Sequence, residues 1–217
     1  ASELAEIPCA DLAVMLVLNP NSVNPFEPVR DEMLTRAKVP MTKEEVRWVS
    51  VARLGVQPGD TVWDVGAGTG AVTFELARKA MDGAVFAVER NTEAIELIMQ
   101  NRQKLGGFNV HIVQGHAPEV LADLPRPNCV FVGGSGGNMR EIIETALVKN
   151  PKARIAVNAI ALETLQETQR LFAEFGLQQV EITQLSAARG KSIGCYTMMT
   201  ANNPVFILSG KGDKYGE

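Results

Sequence analysis

The chain is short of three things, and each shortage closes off a class of function. It has 3 cysteines in 217 residues, Cys9, Cys129 and Cys195, far apart and odd in number. Neither a disulfide framework nor paired zinc-ligand spacing is visible, so no metal site is expected and a reducing cytoplasm is the default setting. Positive charge is also scarce: 21 Lys and Arg against 25 Asp and Glu leave a net charge of -4. A nucleic-acid partner would normally show as a basic excess, so none is expected. Finally, no apolar run approaches a membrane span, and Ala1-Ser2-Glu3 resembles no secretory leader. What is left, 46% hydrophobic and 21% charged, is ordinary material for one α/β domain with a full core.

Within that material one stretch stands out. Residues 61–70 read Thr-Val-Trp-Asp-Val-Gly-Ala-Gly-Thr-Gly. Val62, Trp63 and Val65 suit a buried strand; Gly66, Gly68 and Gly70 suit a tight turn; Ala71, Val72, Phe74, Leu76 and Ala77 begin a helical pattern. A turn without Cβ atoms lets backbone N–H groups approach a ligand, the nucleotide-cradling device of doubly wound α/β proteins. Gly66, Gly68 and Ala71 satisfy the dinucleotide spacing, with Glu89 at about the right distance beyond. Three features favour S-adenosylmethionine instead. Asp64 precedes the first glycine by two places, where a carboxylate can meet an amino-acid moiety, directly or through water, whereas a pyrophosphate would gain nothing from it. Gly70 widens the floor of the turn, and the chain is too short for a dinucleotide domain plus a substrate domain.

Strand and helix patterns alternate along the rest. Strands are expected at Ala84–Val88, Val110–Val113, Cys129–Val132, Arg154–Ile160, Val180–Leu185 and Pro204–Leu208. Helices are expected through Ile95–Leu105, Ile142–Leu147 and Leu162–Phe175. Ahead of the glycine turn, Thr42 and Glu45 have capping-box spacing, and Val46, Val49 and Ala52 form an apolar stripe ending at Gly55. Such alternation implies right-handed parallel βαβ units. The ending, strand, loop and strand without a good helix, adds one antiparallel strand. The expected fold is therefore a Rossmann-like, seven-stranded, mostly parallel sheet of the class I methyltransferase type. Residues 1–30, with a strand-like run at Asp11–Leu18 and a turn-rich Asn19–Pro25, read as the tail of an upstream domain plus a linker, with the methyltransferase domain at 31–217.

Further candidates lie where strands end. Glu89 closes the second strand and can accept hydrogen bonds from both ribose hydroxyls, with Arg90 beside it. Backbone around Gly115 and Ala117 can frame an adenine, whereas His116 reads as a surface hydrogen-bonding residue more readily than as a general base. Gly133-Gly134-Ser135-Gly136-Gly137 follows the fourth strand as an open shelf for a wide, flat acceptor, with N–H groups free for carboxylates. Two basic clusters, Arg36, Lys38, Lys43 and Arg47, then Arg189-Gly190-Lys191, are candidates for binding an anionic substrate.

Several segments together resemble one family. Val39-Pro40-Met41-Thr42-Lys43-Glu44-Glu45-Val46-Arg47, the glycine turn, Ala117-Pro118-Glu119, Phe131-Val132-Gly133-Gly134-Ser135-Gly136-Gly137 and Asn203-Pro204-Val205 resemble the decarboxylating precorrin C15-methyltransferases of cobalamin biosynthesis. The resemblance runs from about Arg36 to Gly210. It implies S-adenosylmethionine as cofactor, held by Thr42, Gly66, Ala67, Gly68, Thr69, Gly70, Glu89 and Ala117, to which the reading of the strand ends above adds Asp64, Arg90 and Gly115. It implies an anionic tetrapyrrole as substrate, facing Gly134, Ser135, Gly136, Arg189 and Lys191, with no catalytic acid or base identified. It also implies a homotetramer and, where the domain is fused, an upstream C5-methyltransferase domain. Where family members often carry cysteine after the first glycine, this chain has Ala67. The rival readings are a methyltransferase for a protein or RNA acceptor and a non-enzymatic assembly domain. The first lacks an Asn/Asp-Pro-Pro-Tyr motif after the fourth strand.

Overall fold

The computed structural model describes residues 27–213, together with Val14 and Leu16. Apart from those two positions, the run at Asp11–Leu18 and the linker at Asn19–Pro25 lie outside the described residues. Helix α1 (Glu44–Leu54) is followed by β1 (Thr61–Val65), α2 (Ala71–Lys79), β2 (Ala84–Glu89), α3 (Thr92–Leu105), β3 (Val110–Gln114) and β4 (Cys129–Val132). Then come α4 (Met139–Lys149), β5 (Arg154–Ala159), α5 (Leu162–Glu174), β6 (Gln178–Leu185), β7 (Ala188–Ile193), β8 (Tyr196–Ala201) and β9 (Val205–Lys211). Seven strands form one sheet in the order β3-β2-β1-β4-β5-β9-β6. Only β9 runs antiparallel, inserted between β5 and β6, which is the exception the chain ending implied.

The central strands read as unbroken apolar runs because helices cover both faces. Val62, Trp63, Asp64, Val65 and the whole of β4 are buried. Leu54 of α1, Phe74 and Leu76 of α2 and Ile98 of α3 fill one side. Ile142 and Ile143 of α4 with Leu171 and Phe172 of α5 fill the other. Helix α3 starts where Asn91 accepts hydrogen bonds from the Glu93 and Ala94 amides, a side-chain cap on otherwise orphaned donors.

Helix α1 departs from its expected pattern. It begins at Glu44 with Lys43 as the N-cap and no side-chain cap, so the Thr42–Glu45 box does not form. Its buried face is Val46, Arg47, Ser50, Val51 and Leu54, while Ala52 is exposed. Two polar residues displaced the stripe, because each finds hydrogen-bond partners inside. Arg47 is fully buried and donates to Asp31 Oδ1 at 2.7 Å, Thr42 O at 2.6 Å and Val29 O at 2.7 Å. Arg47 is thus a structural rivet and not a substrate-binding cation. It helps fix the segment before α1, where Val29 is also buried and donates its N–H to Glu75 at 2.7 Å. The folded unit therefore takes in Val29, upstream of the boundary expected at 31.

The stretch expected as a loop before the last strand is a two-stranded hairpin, β7 on β8, paired from Ala188↔Ala201 to Ile193↔Tyr196. Gly194 at φ 61 and Cys195 make its turn, the Gly-X chemistry of a two-residue hairpin loop.

Candidate active site

The parallel strands β1, β2, β4 and β5 all end at one cavity of about 650 Å³. This is where open α/β sheets bind ligands, at the switch in strand order beside β1. Ten of the expected cofactor residues line it: Thr42, Asp64, Gly66, Ala67, Gly68, Thr69, Glu89, Arg90, Gly115 and Ala117. Gly134, Ser135 and Gly136 line it too. Gly70, Arg189 and Lys191 do not.

The glycines do different jobs. Gly66 has φ 76, and a Cβ there would stand 2.6 Å from the Gly134 carbonyl oxygen. The turn after β1 and the shelf after β4 therefore touch backbone to backbone, a contact that any side chain would wedge apart. Gly70 has φ 78 and leads into α2 behind the cavity wall, where a Cβ would come within 2.8 Å of the Phe74 ring. It lets the chain turn and pack, and it does not widen the floor.

The turn's donors are also not what the sequence suggested. The amides of Gly66 and Ala67 both donate to Val88 O, at 3.0 and 3.1 Å. Gly68 donates to Glu89 Oε2 at 2.9 Å, while Glu89 Oε1 accepts from Arg90 and Asn91. These N–H groups brace the end of β1 against β2, so the glycines contribute a bare main-chain surface more than a set of free donors. On the shelf, Gly133 and Gly134 likewise donate to Val65 O, at 2.9 and 3.4 Å.

What is free at this end is acceptors. Asp64 is completely buried and accepts one hydrogen bond, from the Thr73 hydroxyl at 2.5 Å. Its Oδ1 has no partner among the described residues, nor has the buried Oγ1 of Thr69. Burial pushes the Asp64 carboxyl up to about 7; the Thr73 bond pulls the other way, and the Glu89 charge adds to the rise. A buried carboxylate facing another acid is costly unless a cation completes it. An ammonium group from a bound amino acid would do so, and the residues present fit that end of S-adenosylmethionine.

His116 is not set up as a base. Arg90 Nη1 lies 2.8 Å from His116 Nε2, and a guanidinium only donates. The Nε2 lone pair is therefore occupied, and the ring proton sits on Nδ1, 3.4 Å from Ala117 O. Arg189 is engaged as well. It forms a two-pronged contact with Glu45, 2.7 Å on each arm, and also meets Asp31 and Glu44. That pairing holds Glu45 ionised below its ordinary pKa and ties the hairpin to α1. Lys191 is exposed on the same hairpin. The expected cationic clamp at Arg189 and Lys191 is thus not part of the cavity. In their place the cavity brings in Asn158, Ile160, Asn202 and Asn203; Asn158 and Ile160 fell within an expected strand and Asn203 within a family segment, but none was a site candidate. Isolated asparagines carry no pattern by which they could have been found. Among the described residues no cluster of His, Cys, Asp and Glu could hold a metal ion, and no helix is long and apolar enough to cross a membrane.

A seven-stranded sheet with one antiparallel insertion, a glycine turn after β1 and acids at the ends of β1 and β2 define a class I S-adenosylmethionine-dependent methyltransferase fold. Within that class the chain belongs to the precorrin methyltransferase domain family, whose model matches residues 35–211. It is 42% identical over 184 residues to the probable cobalt-precorrin-6B C(15)-methyltransferase (decarboxylating) of Pyrobaculum calidifontis, covering 83% of this chain and 94% of that one. Among solved structures it is similar to precorrin-6y C5,15-methyltransferase from Geobacter metallireducens, with 35% identity and a TM-score of 0.80 over 84% of this chain and 97% of that one. It is also similar to precorrin 8W decarboxylase of Methanobacterium thermoautotrophicum, with 38% identity and a TM-score of 0.79 over 84% and 98%.

Proposed function

We propose that this chain transfers a methyl group from S-adenosylmethionine to C15 of a precorrin and removes the ring C acetate as carbon dioxide, a step of cobalamin biosynthesis. The observation that carries the reading is the pair of acids around the bare saddle. Asp64 has an unpartnered oxygen suited to the donor's ammonium, and Glu89 stands at the end of β2 where a ribose would lie.

When bound, S-adenosylmethionine supplies an electrophilic methyl on its sulfonium. The protein's part is orientation and the exclusion of water. Asp64 and Thr69 hold the amino-acid end, Glu89 the sugar, and backbone near Gly115 and Ala117 the base. Gly134 to Gly136 leave room for a flat macrocycle to face the methyl. Loss of carbon dioxide moves the electron pair of the broken C–C bond into the conjugated ring, so an acetate held in a poorly solvated place is predisposed to react. The proton that leaves C15 as it takes the methyl balances the one gained when the former acetate carbon becomes a methyl group.

The same reading takes the residues ahead of Val29 as the tail of an upstream C5-methyltransferase domain with its linker, places the enzyme in the cytoplasm and makes it a homotetramer. Support for assembly lies in the hairpin, which exposes Ile193, Tyr196, Met198 and Met199, more apolar surface than a two-stranded ribbon keeps in water. The test is turnover. Cobalt-precorrin-6B and its metal-free counterpart are each incubated with the chain and donor, and the products are weighed by mass spectrometry. Gain of one methyl with loss of carbon dioxide is expected. A product methylated without loss of carbon dioxide, or no product at all, overturns the assignment.

A further inference from the structure

Buried polar atoms without partners are few in a folded protein, and each calls for an explanation. Among the described residues they are Arg47 Nε, Asp64 Oδ1, Thr69 Oγ1, Arg78 Nη2 and Asn158 Nδ2. Three of the five belong to residues of the same cavity. Asp64 and Thr69 are explained by the donor. Asn158 is not.

Asn158 lies near the carboxyl end of β5, two strands from β1 and three from β2. With neighbouring strands about 4.8 Å apart, it is roughly 10 Å across the sheet from Asp64 and about 14 Å from Glu89. The two donor-binding acids therefore occupy one side of the cavity and Asn158 the other. Its amide is held by the oxygen: Oδ1 accepts at 2.9 Å from the Ser50 hydroxyl, whose single proton it shares with Val46 O at 2.7 Å, and Ser50 is itself fully buried in α1. That contact fixes the amide plane and leaves Nδ2 as the unused end. The antiparallel register of β9 on β5, Ala159↔Phe206 and onward, brings Asn202 and Asn203 to the same end. Three neutral amides thus line the cavity here, with Lys38 and Lys43 also on its wall, while the cations Arg47 and Arg189 are spent on Asp31, Glu44 and Glu45.

We propose that Asn158 is an acceptor-recognition residue, donating through Nδ2 to a side-chain carboxylate oxygen of the tetrapyrrole. The assignment rests on the precorrin reading above and deepens it. A neutral donor suits the chemistry. It orients a carboxylate without the charge stabilisation a guanidinium would give, and strong stabilisation of a carboxylate opposes its loss as carbon dioxide.

Asn158→Asp and Asn158→Leu test it. Asn158→Asp keeps the oxygen that Ser50 bonds and deletes the donor, so the fold is retained. With cobalt-precorrin-6B as substrate, KM is expected to rise roughly tenfold or more in both variants. The affinity for S-adenosylhomocysteine by calorimetry is expected to stay as it was. An unchanged KM in Asn158→Asp overturns the proposal, and so does a parallel loss of S-adenosylhomocysteine affinity. Absence of turnover by the unsubstituted chain overturns the functional reading and this assignment with it. A defect confined to the variants' expected pattern supports both.

Discussion

The centre of the sheet and its β6 edge are built on opposite terms. At β1 and β4 nearly every side chain is buried, polar Asp64 included. At β6 the exposure pattern leaves no residue buried, and the β7–β8 hairpin is exposed almost throughout. The first region is fixed by close packing and holds the donor end. In the second, β6 is held by its pairing with β9, while the hairpin is tied to α1 chiefly by Arg189 with Glu45 and faces outward. Rigidity is thus concentrated where a small cofactor must be aligned, and adaptable surface where larger partners would meet the molecule.

The largest effect that would probe this contrast is expected at the glycine contact. Gly66→Ala sets a Cβ 2.6 Å from the Gly134 carbonyl in a left-handed conformation. A loss of about 3 kcal/mol or more is expected in urea denaturation, with donor binding abolished. An ordinary, sub-kilocalorie cost would mean the buried centre yields as easily as the hairpin.

Next comes a pH effect on the same region. The Asp64 carboxyl titrates at about 7 in the fold and near 4 in the unfolded chain. Between those values the folded state carries the extra proton, so this group's contribution to stability declines as pH rises from about 4 to 7 and is level above. A bound ammonium favours the ionised form, so donor affinity should run the other way. Calorimetric titration is expected to find binding roughly tenfold weaker at pH 6 than at pH 8, with the slope lost in Asp64→Asn. A flat profile in the unsubstituted chain would disprove the role given to Asp64.

At the outward end, Arg189→Ala is expected to cost only about 1 kcal/mol, because its partners are partly in water. Its signature is local: faster amide exchange across β7 and β8 with β1 and β4 unchanged. The smallest effect is expected from replacing Met198 and Met199 together by serine. Stability of the single chain should move by no more than about 0.5 kcal/mol, yet sedimentation should show a smaller assembly. An assembly of unaltered size would remove the hairpin from the interface.

The same contrast decides what could be read from the chain. Cys129–Val132 is legible because a strand buried on both faces is a continuous apolar run, and the observed β4 has those bounds. The hairpin was not, since Ala-Arg-Gly-Lys-Ser-Ile carries no alternation; the usable signal was Gly194-Cys195 between Ile193 and Tyr196. Asp64 and Glu89 were legible because local spacing sets both. Arg47, Arg189 and Asn158 were not, because their partners are distant in sequence: Val29, Glu45 and Ser50. Charge in the sequence says which groups are cations, but only the fold says which are already spoken for.

Asn101 has a practical corollary. It is fully buried, donates to both Thr35 O and Thr69 O, and accepts from Thr35 N. One amide thereby staples the entry segment to the donor turn, while Glu75 grips that segment further back at Val29. Anyone shortening this protein for expression should cut upstream of Val29. A truncation at the family border, residue 35, would leave Glu75 only its bond from Trp48 and Arg47 only its bond to Thr42 O, and would slacken the glycine turn after β1.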